Sequence, residues 1–144
     1  MTNKIRPFHL AIPVTNIHKA HDWYTNILGC TVGRKSEEWI DFNFFGHQLV
    51  AHLVSIKEDG ASTNPVDGEQ VPSRHFGMIM QIEDWEALVQ HLKEKEIQFI
   101  IQPQIRFKGK DGEQSTFFIL DPFGNALEFK AFQDDSQIFK KTNI

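Results

Sequence analysis

The chain has 144 residues, 40% of them hydrophobic, which is enough for one packed domain or for two small half-domains around one site. Its net charge of −4 and its lack of a basic cluster argue against nucleic acid and favour a small-molecule ligand. One cysteine, no secretory leader and no apolar run near the ~20 residues that span a bilayer predict a cytoplasmic protein with no membrane contact.

The first part of the chain, residues 1–56, predicts the order β-α-β-β-β. Alternating residues over Phe8–Val14 indicate a strand, and Thr15 or Asn16 can cap the helix that follows and ends at Gly29. Three more strands are predicted, with a turn at Gly46-His47, over Thr31–Lys35, Trp39–Phe45 and Gln48–Ile56. Residues 57–73 are polar and contain glycine and proline, so we expect a linker or lid loop.

Residues 74–132 predict the same order again, before a polar tail at 133–144. The predicted elements are a strand over Arg74–Ile82, a helix over Glu83–Lys95 and strands over Gln98–Phe107, Gln114–Leu120 and Ala126–Phe132. Two echoes support a duplication: HLAIPV matches HFGMIM, and FFGHQLV matches PFGNALE. The fold class is therefore predicted as α+β, with two tandem β-α-β-β-β modules packed around a shared open-barrel cavity.

A carboxylate and two histidines occupy corresponding places in this repeated frame. Glu128 lies in the middle of an apolar strand, where a buried carboxylate is costly unless it is paired, hydrogen-bonded or bound to a metal. His9 and His75 each open a module, so side-by-side modules would bring all three to one cavity. Two histidines and one carboxylate predict one divalent metal, with Fe(II) favoured and Mn, Ni or Zn still open.

Other residues are candidates for roles around that metal. Val50 stands where the repeat would put a fourth ligand, and His52, two residues later, is a candidate general acid or base. Phe44 and Phe117 are candidates for lining the substrate chamber, and Arg106 for pairing with a substrate carboxylate.

The paired modules, the HLAIPV opening, the helix that ends in ILG and the DPFGNALEFK ending resemble the vicinal oxygen chelate superfamily of glyoxalases, extradiol dioxygenases and bleomycin or fosfomycin resistance proteins. The likeness covers residues 6–132 and is strongest to small extradiol-dioxygenase-like proteins of the glyoxalase type. It implies metal ligands at His9, His75 and Glu128, and it implies a homodimer. The tyrosine that assists ring cleavage in the family has no counterpart, because Tyr24 lies on a predicted helix.

These observations predict a metal-dependent enzyme that acts on a small substrate with vicinal oxygens, including dioxygenase-type ring cleavage with Fe(II). Two alternatives remain open. One is a glyoxalase-like isomerase or lyase, and the other is a metal-free module that binds a small molecule and confers resistance.

Overall fold

The computed structural model describes residues 4–57 and 62–141, in which there are ten strands, two α-helices and one short 3₁₀ helix. The chain divides into two compact units. The first comprises Met1–Asp59 with Pro122–Asn125, and the second comprises Gly60–Asp121 with Ala126–Ile144. Neither described helix is long and apolar enough to cross a membrane.

The first unit contains a four-stranded sheet and one helix. Its elements are β1 (His9–Val14), α1 (Ile17–Asn26), β2 (Thr31–Lys35), β3 (Trp39–Phe44) and β4 (His47–Leu53). The strand order is β1-β4-β3-β2, with β1 parallel to β4 and the other pairs antiparallel. Helix α1 begins as predicted, because the Asn16 side chain accepts a hydrogen bond from the Lys19 amide at 2.9 Å. It buries Ala20 and Tyr24, and Tyr24 packs on Phe42.

The second unit repeats this arrangement and adds a hairpin. Its elements are β5 (Thr63–Val66), β6 (Glu69–Pro72), β7 (Phe76–Met80), α2 (Ile82–Glu94), β8 (Phe99–Arg106), β9 (Gln114–Leu120) and β10 (Ala126–Ala131). The main sheet has the order β7-β10-β9-β8, again with a parallel first pair. The predicted α+β class and the two β-α-β-β-β modules are confirmed. The predicted polar tail contains the 3₁₀ helix Asp135–Gln137.

The β5–β6 hairpin lies in the stretch for which we expected a linker or lid loop. Asp67 and Gly68 form its turn with φ of +45° and +82°, which is the backbone of a tight hairpin turn. Val71 packs with Ile101 and Phe118, so the hairpin is anchored to the main sheet of its unit. Residues 58–61 of this stretch lie outside the described residues, and a lid role stays a prediction.

Side chains on one face of each sheet pack against the helix of the same unit. In the second unit this face includes Phe117, Leu127 and Phe129, all fully buried, and the Trp85 indole donates to the Phe129 carbonyl at 2.8 Å. Cys30 is also buried, and burial raises the pKa of its thiol to about 12, as suits a packing residue. The opposite face of each sheet carries the polar residues discussed next.

Candidate functional site

Glu128 is a buried carboxylate at the centre of the second sheet, with only 7% of its surface exposed. It lies on β10 between β7 and β9, where it pairs in register with Gly77 and Phe118. Because side chains alternate along a strand, its neighbours Leu127 and Phe129 enter the helix-facing core. Glu128 therefore points to the face opposite the helix, as the alternation in the sequence predicts.

Four side chains neutralise or hydrogen-bond this carboxylate. The Thr116 hydroxyl donates to Oε2 at 2.6 Å, and Arg106 Nη1 donates to the same oxygen at 3.3 Å. His75 Nε2 lies 3.4 Å from Oε1, and Lys130 Nζ lies 3.9 Å from it. One carboxylate oxygen is thus held by Thr116 and Arg106, while the other faces the imidazole.

The pKa values of His75 and Glu128 shift in the directions expected for an ion pair. The hydrogen bond to Glu128 is the main cause that raises the pKa of His75, against the effect of burial. For Glu128, burial is the largest single influence and raises the pKa, but the hydrogen bonds from His75 and Thr116 and the charge of Lys130 together lower it. In the metal-free protein the pair therefore favours imidazolium and carboxylate.

Gly77 allows the close backbone approach beside Glu128. A Cβ atom on Gly77 would lie 1.5 Å from the Glu128 carbonyl oxygen, which no packed structure tolerates. In the first module the equivalent position is Ala11, which pairs with Val50 just as Gly77 pairs with Glu128. This register confirms that Val50 stands where the repeat would put a second carboxylate.

The imidazole of His75 is oriented by a backbone carbonyl. His75 lies just before β7, whereas the sequence predicted it inside that strand. Its Nδ1 is 2.6 Å from the Pro72 carbonyl oxygen, which only accepts hydrogen bonds, so Nδ1 must carry the proton. Its ring also packs edge-on against Phe118. Nε2 is left to face Glu128.

His9 has the same arrangement in the first unit. Its Nδ1 lies 2.8 Å from Gln48 Oε1, and the Gln48 amide nitrogen lies 3.5 Å from Asp41 Oδ2. Because a carboxylate only accepts, the amide nitrogen faces Asp41 and the amide oxygen faces His9. Nδ1 of His9 therefore donates, and Nε2 remains available as an acceptor or metal ligand.

The donor atoms in the second unit fit a divalent ion. His75 and Glu128 line a cavity of about 190 Å³ together with Gly77 and Lys130. The 3.4 Å between His75 Nε2 and Glu128 Oε1 suits two atoms that each lie about 2.1 Å from a shared ion. In the described part of this unit, no further His, Cys, Asp or Glu joins them in a metal-binding group. The predicted third ligand, His9, belongs to the first unit.

His52 lies on the same face of its sheet as His9. It is exposed on β4 and follows Gln48 and Val50 at the two-residue spacing that keeps side chains on one face. His47, expected in a turn, instead begins β4 and accepts a hydrogen bond from the Phe8 amide at 2.8 Å.

The two phenylalanines expected to line the substrate chamber are core residues. Phe44 is buried and lies with Ile40 and Phe42 on the helix-facing side of β3. Phe117 stacks on Phe129 with ring centroids 5.5 Å apart. Phe118, the register partner of Glu128, occupies the site face instead. The sequence prediction for Phe44 and Phe117 was therefore wrong about the face on which they lie.

Comparison with known proteins agrees with this fold. The family model described as Glyoxalase/Bleomycin resistance protein/Dioxygenase superfamily matches residues 6–129. A glyoxalase/bleomycin resistance protein/dioxygenase from Alicyclobacillus acidocaldarius is 36% identical, with a TM-score of 0.82 over 96% of this chain and 100% of that one. No curated protein gives a significant match.

Two more distant structures share the fold. The fosfomycin resistance protein FosX from Listeria monocytogenes is 12% identical, with a TM-score of 0.67 over 95% of this chain and 99% of that one. A lactoylglutathione lyase from Agrobacterium tumefaciens is 13% identical, with a TM-score of 0.64 over 96% of this chain and 98% of that one. The matched family model, together with the 36% identical structure, shows that the chain belongs to the glyoxalase/bleomycin resistance protein/dioxygenase superfamily.

Proposed function

We propose that this protein is a metal-dependent enzyme that acts on a small substrate with two vicinal oxygen atoms. His9, His75 and Glu128 would hold one divalent ion. The observation that supports this proposal is the shared orientation of the two imidazoles. Each donates its Nδ1 proton to an oxygen acceptor, which leaves Nε2 as the ligand atom, and this is the usual arrangement of metal-binding histidines.

Two histidines and one carboxylate favour Fe(II), with Mn, Ni and Zn as alternatives. When bound, the ion would supply Lewis acidity and, as Fe(II), the ability to activate dioxygen. Oxygen-dependent ring cleavage is the reaction that we place first. Any such reaction would proceed without a tyrosine at the site, because the single tyrosine of the chain, Tyr24, is buried in the core of the first unit.

The protein side chains would orient the substrate and move its protons. Thr116 and Arg106 hold one oxygen of Glu128, so that the other is presented to the ion. His52 is exposed and would exchange a proton with the substrate as general acid or base. Arg106 would bind an acidic substituent of the substrate.

A second candidate is a metal-free binding or resistance module. It is favoured by one observation: Glu128 has hydrogen-bonding or charged partners among the protein's own side chains. A third, an isomerase or lyase, would use Mn, Ni or Zn and need no oxygen. The homodimer and the cytoplasmic location are proposals too. The edge strands β2 and β8, which each have one strand neighbour in the described sheets, offer surfaces for a dimer.

The test is elemental analysis of protein purified without a His tag or chelator and then loaded with Fe(II) under anaerobic conditions. We expect about one metal ion per chain, lost in His9→Ala, His75→Ala and Glu128→Ala. His18→Ala, which removes an exposed histidine of α1, is the matched control and should keep the metal. Full occupancy in the three site variants would refute the ligand assignment. Oxygen uptake with catechols then separates the dioxygenase from an isomerase or lyase.

A further inference from the structure

Arg106 presents a buried hydrogen-bonding edge that no described residue satisfies. Only 5% of its surface is exposed, and its Nη1 donates to Glu128. Its other two nitrogens, Nε and Nη2, are buried and have no hydrogen-bond partner among the residues that the structure describes. Buried unsatisfied donors are costly and rare, so an occupant of this edge is expected.

The geometry of the guanidinium defines what that occupant is. Nε and Nη2 form one side of the planar group, and their two N–H bonds run nearly parallel, a spacing that matches the two oxygens of a carboxylate. The local charge points the same way. Arg106 and Lys130 both lie near Glu128, so the cations outnumber the carboxylates there even without counting His75.

We propose that the Nε and Nη2 edge of Arg106 binds a carboxylate of the ligand, so that the natural ligand is an organic acid as well as a vicinal oxygen compound. The inference rests on the proposed function only for the vicinal oxygens. Carboxylate binding needs no metal.

The β5–β6 hairpin is tied to the end of the strand that carries Arg106. The Arg106 guanidinium lies over the ring of Phe118, and Phe118 packs with Val71 of the hairpin. The next residue, Phe107, donates its amide proton to the Asp67 side chain at the hairpin turn at 3.0 Å. Loosening the hairpin by Asp67→Ala should therefore expose Arg106 and strengthen carboxylate binding.

The experiment follows the Arg106 Nε–H signal by NMR in ¹⁵N-labelled, metal-free protein. The signal is assigned by its loss in Arg106→Lys. The probe is benzoate, and benzyl alcohol is the control because it has the same ring without the charge. We expect a saturable shift with benzoate only, larger at low benzoate in Asp67→Ala. An unmoved signal in both wild type and Asp67→Ala overturns the proposal.

Calorimetry with the same probe separates ligand binding from a purely structural role. Arg106→Lys keeps a positive charge beside Glu128 but lacks the fork, so it should lose about 10-fold or more in benzoate affinity, the loss expected for a charged hydrogen bond. Unchanged benzoate affinity in this variant would show that Arg106 only positions Glu128. Because these measurements use metal-free protein, their result does not depend on whether the metal assay succeeds. In the same way, a failure to bind benzoate would not contradict the proposed metal ligands.

Discussion

At the scale of single residues, Glu128 supplies the negative charge that pairs with the buried Arg106 in the second sheet. Its carboxylate and the Arg106 guanidinium are 7% and 6% exposed and lie 3.3 Å apart. Glu128→Gln leaves Arg106 buried without a counter-charge, so we expect a loss of about 3 kcal/mol in the free energy of unfolding, measured by urea denaturation. Glu86→Gln, at an exposed position of α2, is the control and should be nearly neutral. Equal midpoints for the two variants would contradict the ion pair.

The His75–Glu128 pair also predicts a pH dependence of stability in the metal-free protein. The pKa of His75 is raised on folding, so its contribution is complete below the unfolded value of about 6.5 and is lost as pH rises through the folded pKa. The pKa of Glu128 is lowered, so its contribution is present above about 4.3 and is lost as pH falls through the folded pKa. Urea titrations should show wild type losing stability as pH rises above about 6.5, whereas His75→Gln should lack this dependence.

The partners of Glu128 show what the sequence predicts at this scale. Strand alternation predicts that Glu128 faces away from Leu127 and Phe129, and the structure confirms it. The neighbours across the sheet depend on register, and a slip of one residue reverses the face of every side chain. No local pattern distinguishes Phe117 from Phe118, so the wrong phenylalanine was assigned to the site. Thr116, two residues from Phe118, was missed for the same reason.

At the scale of elements, the β5–β6 hairpin was missed although the sequence contains a signal for it. Asp67-Gly68 is a strong two-residue hairpin turn. Pro65 and Pro72 lie in the two strands and argue against a strand prediction there, because proline cannot donate a backbone hydrogen bond to a neighbouring strand and is usually found in loops or edge strands. The hairpin is a separate two-stranded sheet, where proline is tolerated.

The pairing of β7 with β10 depends on one glycine. In Gly77→Ala the new Cβ would lie 1.5 Å from the Glu128 carbonyl oxygen, so the strands must separate. We expect a loss of about 3 kcal/mol or more in urea unfolding, together with weaker metal binding. The control is Gly33→Ala on β2, whose Cβ would meet its nearest atom at 3.5 Å and should change stability by less than about 1 kcal/mol. Similar losses in both variants would show that the tight approach at Gly77 is not what limits the sheet.

At the scale of the whole molecule, the duplication is readable because each module repeats its own short patterns. In the first module His9 pairs with Gln48, which is two residues after Gly46. In the second module Phe76, the residue after His75, pairs with Leu127, which is three residues after Gly124. The corresponding registers explain why both echoes fall at matching places. The proposed metal ligands, His9, His75 and Glu128, are far apart in the chain, and no local spacing encodes such a set. It is therefore tested through its energetic consequence.

If the proposed ligands His9, His75 and Glu128 hold one ion, that ion should stabilise the protein fully only when all three are present. An ion that binds the folded chain alone raises the free energy of unfolding by about 2.7 kcal/mol at a concentration 100 times its Kd. Thermal unfolding with and without Mn or Zn should show this stabilisation in wild type and in the control His18→Ala. It should be largely lost in His75→Ala and equally in His9→Ala, because each variant removes one of three ligands. Full stabilisation of His9→Ala would instead assign the ion to His75 and Glu128 of the second unit alone.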